Sequence, residues 1–368
     1  MKRLLLLLVI AATQTGFYSS TAHGQSTDLT SAPILEVMHR TAHWQIEHPY
    51  SQRSPLDWLD GAFYTGLWAL YEKTEEPRYA NELLALGQRS HWKLLNDVYH
   101  ADRLTIAQVF ADMYLHYEDP QMLEPLQWVM DMHVDRKSSA DVRFEGNPYK
   151  LEWWTWCDAL YMAPPAFARV YEATGEVKYL DYLDKHWWIT SDYLYDSTEC
   201  LFYRDDRFFD RKTVNGQKVF WSRGNGWVLG GLVRVLEHMP AEYPSRARFE
   251  DQFTCMARKV ASLQGADGLW RSSLLDAAEY PIGESSGSAF FCYAFAWGIN
   301  HGLLSAKEYA PVVEKAWRGL VKNVNEEGRL GFVQQVGYSP ESIKADDWQV
   351  YGTGAFLLAG CEILTMIE

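Results

Sequence analysis

The chain has 368 residues, 48% of them hydrophobic and 22% charged, which is enough apolar material for one large core or two modest ones. A formal charge of −14 argues against nucleic-acid or anionic-membrane binding, and an anionic substrate would need a local basic pocket. Five cysteines (157, 200, 255, 292 and 361), odd in number and never in a C-x-x-C pair, read as small buried hydrophobes rather than a disulfide framework or a zinc site.

Lys2 and Arg3 precede the apolar run Leu4 to Ala12, and Ala22-His-Gly24 offers small residues for cleavage. A signal peptide over 1–24 is expected, leaving a single domain over 25–368 that is exported, periplasmic or secreted. No later segment is expected to be long and uncharged enough to span a bilayer.

Helical periodicity then recurs at 29–47, 61–73, 79–95, 104–117, 121–133 and 158–174, and again at 177–191, 226–238, 245–264, 286–302, 305–323 and 352–366. These twelve segments form pairs. Short, similar links follow Tyr71, Tyr117 and Tyr171, as short turn-rich links do between antiparallel neighbours. Long links at 134–157, 192–225, 265–285 and 324–351 each precede a helix that opens on small or turn-forming residues. Six hairpins with alternating links predict an all-α (α/α)6 barrel. The small-residue helices form its inner ring, and the long loops gather over their N-termini at one mouth.

Two strings place charge among indole rings at helix starts: Trp153-Trp-Thr-Trp-Cys-Asp158 and Trp221-Ser-Arg-Gly-Asn-Gly-Trp227. Aromatic platforms beside a carboxyl and a guanidinium suit a sugar-binding, acid-catalysing pocket. Asp158 could merely cap its helix, yet burial against Trp156 would raise its pKa and make a general acid. Asp102 opens the preceding inner helix; in a closed barrel it would approach Asp158, and two neighbouring carboxyls push their pKa values apart. Arg223, between Trp221 and Trp227 and beside Gly224 and Gly226, could hold a carboxylate or pair with a barrel acid. Arg204 could add a second cation at the mouth or form a loop ion pair. The histidines, among them His100, show no metal-ligand spacing, so no metal is expected. Ser285-Ser-Gly-Ser reads as a helix start. Glu152, Asp346 and Asp347 are the spare acids for an ordinary two-carboxylate glycosidase.

With these motifs in view, the chain resembles the unsaturated rhamnogalacturonyl hydrolases of glycoside hydrolase family 105, related to the family 88 unsaturated glucuronyl hydrolases. The resemblance rests on Trp156-Cys-Asp-Ala-Leu-Tyr-Met162, on the Trp221–Trp227 string and on Tyr351-Gly-Thr-Gly-Ala-Phe356, and covers nearly the whole chain. It implies hydration of the double bond of a 4,5-unsaturated uronic acid at the non-reducing end of a lyase product. Asp158 would then protonate C4 and activate water, with Asp102 as the second aspartate. Trp221, Arg223 and Trp227 would line the uronate subsite, and no cofactor is implied. Two departures stand out. Such proteins often read Ala-Asp-Asp where this chain has Ala101-Asp-Arg103, and often carry a histidine where Tyr203 is followed by Arg204.

The expected partner is therefore an oligosaccharide with an unsaturated uronate terminus. The rivals are a two-carboxylate glycosidase or sugar epimerase on the same barrel, marked by a second acid facing Asp158 or a histidine pair. A non-catalytic glycan-binding protein is the remaining rival, and it would tolerate loss of the Asp158 carboxyl.

Overall fold

A computed structural model describes residues 29–50, 52–137 and 139–368, so the expected leader lies outside the described residues. In chain order the first helices are α1 (Ser31–Glu47), α2 (Trp58–Thr74), α3 (Pro77–Ser90), α4 (Thr105–Tyr117) and α5 (Pro120–Val134). They are followed by α6 (Ala159–Met162), α7 (Pro164–Thr174), α8 (Lys178–Leu194), and a hairpin of β1 (Tyr195–Asp196) and β2 (Leu201–Phe202). Next come α9 (Ser222–Leu236), α10 (Arg246–Ala261), and β3 (Trp270–Arg271) paired antiparallel with β4 (Gly283–Glu284). The chain ends with α11 (Ser285–Asn300), α12 (Ala306–Lys322) and α13 (Val350–Ile367).

The three short links close their helices alike. Glu75, Glu118 and Gly175 are left-handed, and their N–H groups bond to the carbonyls of Tyr71, Tyr114 and Tyr171. Such a cap satisfies an otherwise orphaned helix-end carbonyl and turns the chain sharply. The next helices start at once, with Glu76 and Asp119 accepting from backbone N–H groups and Pro77 and Pro120 in the first turn.

Helices α2, α4, α6/α7, α9, α11 and α13 pack each on the next, and α13 returns to α2, closing an inner ring. The remaining six helices lie outside it, giving the expected six-hairpin barrel. Small residues set the ring's radius. A Cβ on Gly66 would lie 2.2 Å from the Gly354 carbonyl oxygen, and one on Gly354 only 2.1 Å from that of Ala62. The α2 and α13 backbones therefore touch. In the same way, Gly231 of α9 lets the Leu160 carbonyl of α6 approach.

Three expectations need correction. The segment 158–174 is two helices, because Pro164 and Pro165 lack the N–H groups needed to continue one. Gln108 of α4 compensates by donating from Nε2 to the Tyr161 carbonyl at 2.7 Å and the Met162 carbonyl at 3.3 Å. Cys200 and Cys255 are disulfide-bonded, tying the β1–β2 hairpin to α10, while Cys157, Cys292 and Cys361 are buried and free as expected. The bonded pair is 55 residues apart, so no local spacing betrays it. Finally, α13 is long and apolar enough to cross a membrane. Its place in the ring explains that character, because a helix buried all round is apolar all round.

A cavity of 410 Å³ opens at the C-terminal ends of the inner helices, lined among others by Glu72, Asp112, Arg169, Arg234, Glu237 and Glu362. The negative ends of helix dipoles converge there. Arg169 and Arg234 answer them, both ion-paired to Asp112. Burial pushes the Glu72 and Glu362 carboxyls up to about 7.

Candidate active site

The opposite mouth, over the inner-helix N-termini, brings together Asp102, Asp158 and Arg204. Asp158 occupies the cap position of α6, yet its side chain makes no capping hydrogen bond. Its Oδ2 instead lies 3.3 Å from Arg204 Nε. The Cys157 N–H donates to the Arg204 carbonyl at 2.8 Å, so the two loops that carry the pair are stitched together beside it. Trp156 is buried, with the Arg204 guanidinium 5.9 Å from its ring centre.

Asp102 sits in a short 3-10 turn, Ala101–Leu104, that leads into α4. Here the capping is done by His100, whose Nδ1 accepts from the Asp102 N–H at 3.2 Å. That role makes His100 a neutral ring with its proton on Nε2. Burial, with Arg103 nearby, lowers its pKa to about 4. The Asp102 carboxyl is thus left unspent, with Oδ2 3.9 Å from His100 Nδ1.

The two carboxyls differ in their surroundings. Burial raises Asp158, while Arg204 and Arg223 hold it down. Burial also lifts Asp102, to about 7, and the charges of Asp158 and Asp57 push it further than Arg204 and Arg103 can offset. Both carboxyls are thus raised, and Arg204 is the cation that favours the ionised form of each.

Beneath Arg204, Asp205 is fully buried and accepts from Arg204 Nη1 at 2.6 Å and from Arg207 Nε and Nη2 at 2.8 and 2.9 Å. Burial would raise its pKa, but these hydrogen bonds and charges outweigh it and hold the carboxyl below the usual range. Asp205 therefore fixes the direction in which Arg204 points.

The Trp221–Trp227 string is placed differently from the expectation. Its helix begins at Ser222, so the string forms the first turns of α9 and is buried throughout. Arg223 donates to the carbonyls of Gln334 and Gln335 at 2.7 and 2.9 Å and lies over the rings of Trp221 and Tyr351. Its guanidinium anchors the 323–349 link, and it acts on Asp158 by its charge. Trp221 donates from Nε1 to Gln334. Trp227 is packed among Trp58, Tyr161, Phe290 and Tyr351. The half-buried indole in front of it is Trp58, stacked on Tyr351 with ring centres 5.4 Å apart.

None of the spare acids turns to Asp158. Glu152 pairs with Arg136, Asp346 with Arg329, and Asp347 accepts from the Lys344 N–H. Ser285 begins α11, as expected of a helix start. Among the described residues, no group of three or more His, Cys, Asp or Glu is placed to hold a metal ion. Sequence reasoning missed His100 as a neighbour of Asp102, and missed Trp58, Phe144, Lys150 and Arg207. Only Arg207 left a trace, as the second arginine of Arg204-Asp-Asp-Arg207.

Comparison with known proteins shows the family. The model of Glycosyl Hydrolase Family 88 matches residues 34–367. A Formosa agariphila protein named unsaturated 3S-rhamnoglycuronyl hydrolase is 40% identical over 352 residues, spanning 92% of this chain and 93% of that protein. A protein of the same name from Alteromonas sp. (strain LOR) is 35% identical over 364 residues, spanning 92% and 87%. A solved glycosyl hydrolase family 88 structure from Bacteroides vulgatus has a TM-score of 0.82 at 31% identity, covering 92% of this chain and 99% of that one. A barrel of six hairpins with paired aspartates at its mouth is thus joined to a match along nearly its whole length, and the chain belongs to Glycosyl Hydrolase Family 88.

Proposed function

We propose that this glycoside hydrolase releases a 4,5-unsaturated uronic acid from the non-reducing end of lyase-generated oligosaccharides, by hydrating the C4=C5 bond. The observation that carries the reading is the Asp158 carboxyl: buried, unspent on its helix, and facing Arg204 beside a second aspartate. Asp158 and Asp102 are the catalytic pair of this proposal. Arg204 receives the uronate carboxylate, Trp156 walls the subsite, and Arg223 contributes charge from behind with Trp221 and Trp227 as its support.

The proton balance follows from the charges. Burial favours the protonated form of Asp158, and a uronate carboxylate against Arg204 neutralises the cation that opposes it, so Asp158 carries the proton when substrate is bound. Asp158 gives that proton to C4, and positive charge develops at C5, stabilised by the ring oxygen. Water adds at C5 and yields its own proton to Asp158, so one water is consumed and the carboxyl is restored. The C5 hemiketal opens with cleavage of C5–O5, leaving a ketone at C5 and a hemiacetal at C1. That hemiacetal expels the remaining chain. One acid is enough because the enol ether supplies the reactivity, which a two-carboxylate glycosidase lacks.

The names of the two relatives extend the reading to the neighbouring sugar, a rhamnose whose prefix 3S we take as a sulfate at O3. We also assign the protein to an oxidising compartment, supported by the Cys200–Cys255 bond and by the apolar run near the N-terminus.

The test is the ultraviolet absorbance of the conjugated uronate, followed on lyase products in D2O. Wild type should remove the absorbance and leave deuterium at C4 of the product, whereas Asp158→Asn should do neither. Release of a uronate that keeps its double bond would mean attack at C1 and would overturn hydration.

A further inference from the structure

Phe144, buried in the link before α6, gathers three cations about its ring. The Arg207 guanidinium is 4.2 Å from the ring centre, Lys150 Nζ 4.5 Å and the Arg204 guanidinium 5.1 Å. In a chain of net charge −14 such convergence is a local exception. Two of the three are anchored, since Arg204 and Arg207 share Asp205 and Arg204 also faces Asp158. Arg207 also lies 5.1 Å from the ring centre of Tyr338, which is half exposed and belongs to a different link. Even so, its Nη1 donates to no protein acceptor among the described residues. Lys150 differs again. It is half-buried, and among the described residues no carboxylate lies within ion-pair distance of it.

Nearby acids do not absorb these donors. Asp206 accepts from the N–H groups of Phe144 and Glu145 and from the Tyr193 hydroxyl, and Asp141 is taken up by Arg143. Unused N–H groups therefore stand about one aromatic ring, just beyond the cation that faces Asp158.

We propose that Lys150 and Arg207 bind a sulfate ester on the sugar next to the unsaturated uronate, an assignment that rests on the hydrolase reading above. A planar carboxylate is satisfied side-on by one guanidinium. A sulfate ester presents three terminal oxygens in a tetrahedral array, which suits an arginine and a lysine approaching from different directions. It also keeps its charge at every pH at which the aspartate pair works. Phe144 and the half-exposed Tyr338 supply the apolar edge on which the sugar ring rests.

The experiment uses two disaccharides, each an unsaturated uronate linked to rhamnose, one carrying a 3-O-sulfate and one desulfated. Lys150→Met is the informative variant, because Lys150 makes no ion pair whose loss would disturb the fold. The ratio of kcat/KM for the sulfated over the desulfated substrate should fall roughly ten- to hundredfold in Lys150→Met, mainly through KM. Arg207→Lys, which keeps the charge but loses the fork, should lower the same ratio less. An unchanged ratio in Lys150→Met overturns the assignment. Should wild type turn over neither disaccharide, the hydrolase reading fails, and calorimetric titration of Asp158→Asn still decides the subsite. Tighter binding of the sulfated sugar, lost when Lys150→Met is added, supports the subsite. Equal binding of the two sugars removes it.

Discussion

Asp158 and Arg204 face one another across 3.3 Å at the barrel mouth, and the backbone bond from Cys157 to Arg204 keeps them in register. The pairing gives this site a particular logic. The carboxyl expected to act as an acid is raised by burial and held down by this cation, and an anionic sugar that takes up the cation would favour its protonated form.

Replacing Arg204 tests that logic. The cation holds down both Asp158 and Asp102, so Arg204→Gln removes a charge that favours their ionised forms. Both carboxyls should then keep their protons to higher pH. The alkaline limb of the kcat/KM profile should move upward by roughly one pH unit while KM rises about tenfold, as for a lost charge-assisted contact. An unmoved limb would mean that Arg204 does not govern the pair.

Asp102 sets the limb in the wild type. Its carboxyl, raised to about 7 by burial first and then by Asp158, is protonated below that pH and loses its proton above it. Activity should therefore fall as pH rises through about 7. Asp102→Asn should cost roughly a hundredfold in kcat and Asp158→Asn at least as much, within the usual range for general acid–base groups. Steady-state rates across pH 5 to about 9 check both expectations.

Asp60, in the first turn of α2, offers a stability test. It is buried on α2, its Oδ2 has no hydrogen-bond partner, and burial, aided by Asp57, raises its pKa from 3.8 to about 7. A raised carboxyl favours the fold below its unfolded pKa, and that advantage is lost as pH rises through the folded value. Compared with Asp60→Asn, the wild type should therefore lose stability across this window, by up to roughly 4 kcal/mol. Denaturant midpoints of the two proteins at pH 4 and about pH 8 should converge at the lower value and separate at the higher. Parallel curves would contradict the burial of an unpaired acid.

The Cys200–Cys255 bond closes a separation of 55 residues between the β1–β2 hairpin and α10. Removing it with Cys200→Ser should cost about 2–4 kcal/mol by the loop-closure argument. Chemical unfolding with and without reductant checks this, since the variant should be insensitive to reductant and the wild type should fall to its level.

Much of the architecture was legible because it depends on local periodicity. Inner helices are apolar on every face and small where backbones meet, so helix starts such as Ser285-Ser-Gly-Ser288 and Tyr351-Gly-Thr-Gly354 marked the ring. The repeated tyrosine-bearing junctions marked the turns, because a left-handed cap needs only neighbouring residues. Asp102 and Asp158 were legible for a related reason: each stands at the start of an inner helix, and a closed ring brings such starts to one mouth. What the side chains there spend their hydrogen bonds on is another matter, since those partners lie far along the chain. Arg223 is committed to carbonyls about 110 residues away. Trp227 is walled off by Trp58, and Lys150 meets Arg207 only through the ring of Phe144. Cys200 finds Cys255 across 55 residues. Which helices form, where they turn and which ends carry the acids could all be read along the chain, because short-range geometry sets those features. Which arginine faces Asp158, how far each aspartate is raised and which cations remain unspent came from the folded arrangement alone, because those outcomes depend on burial and charge contributed by several loops at once.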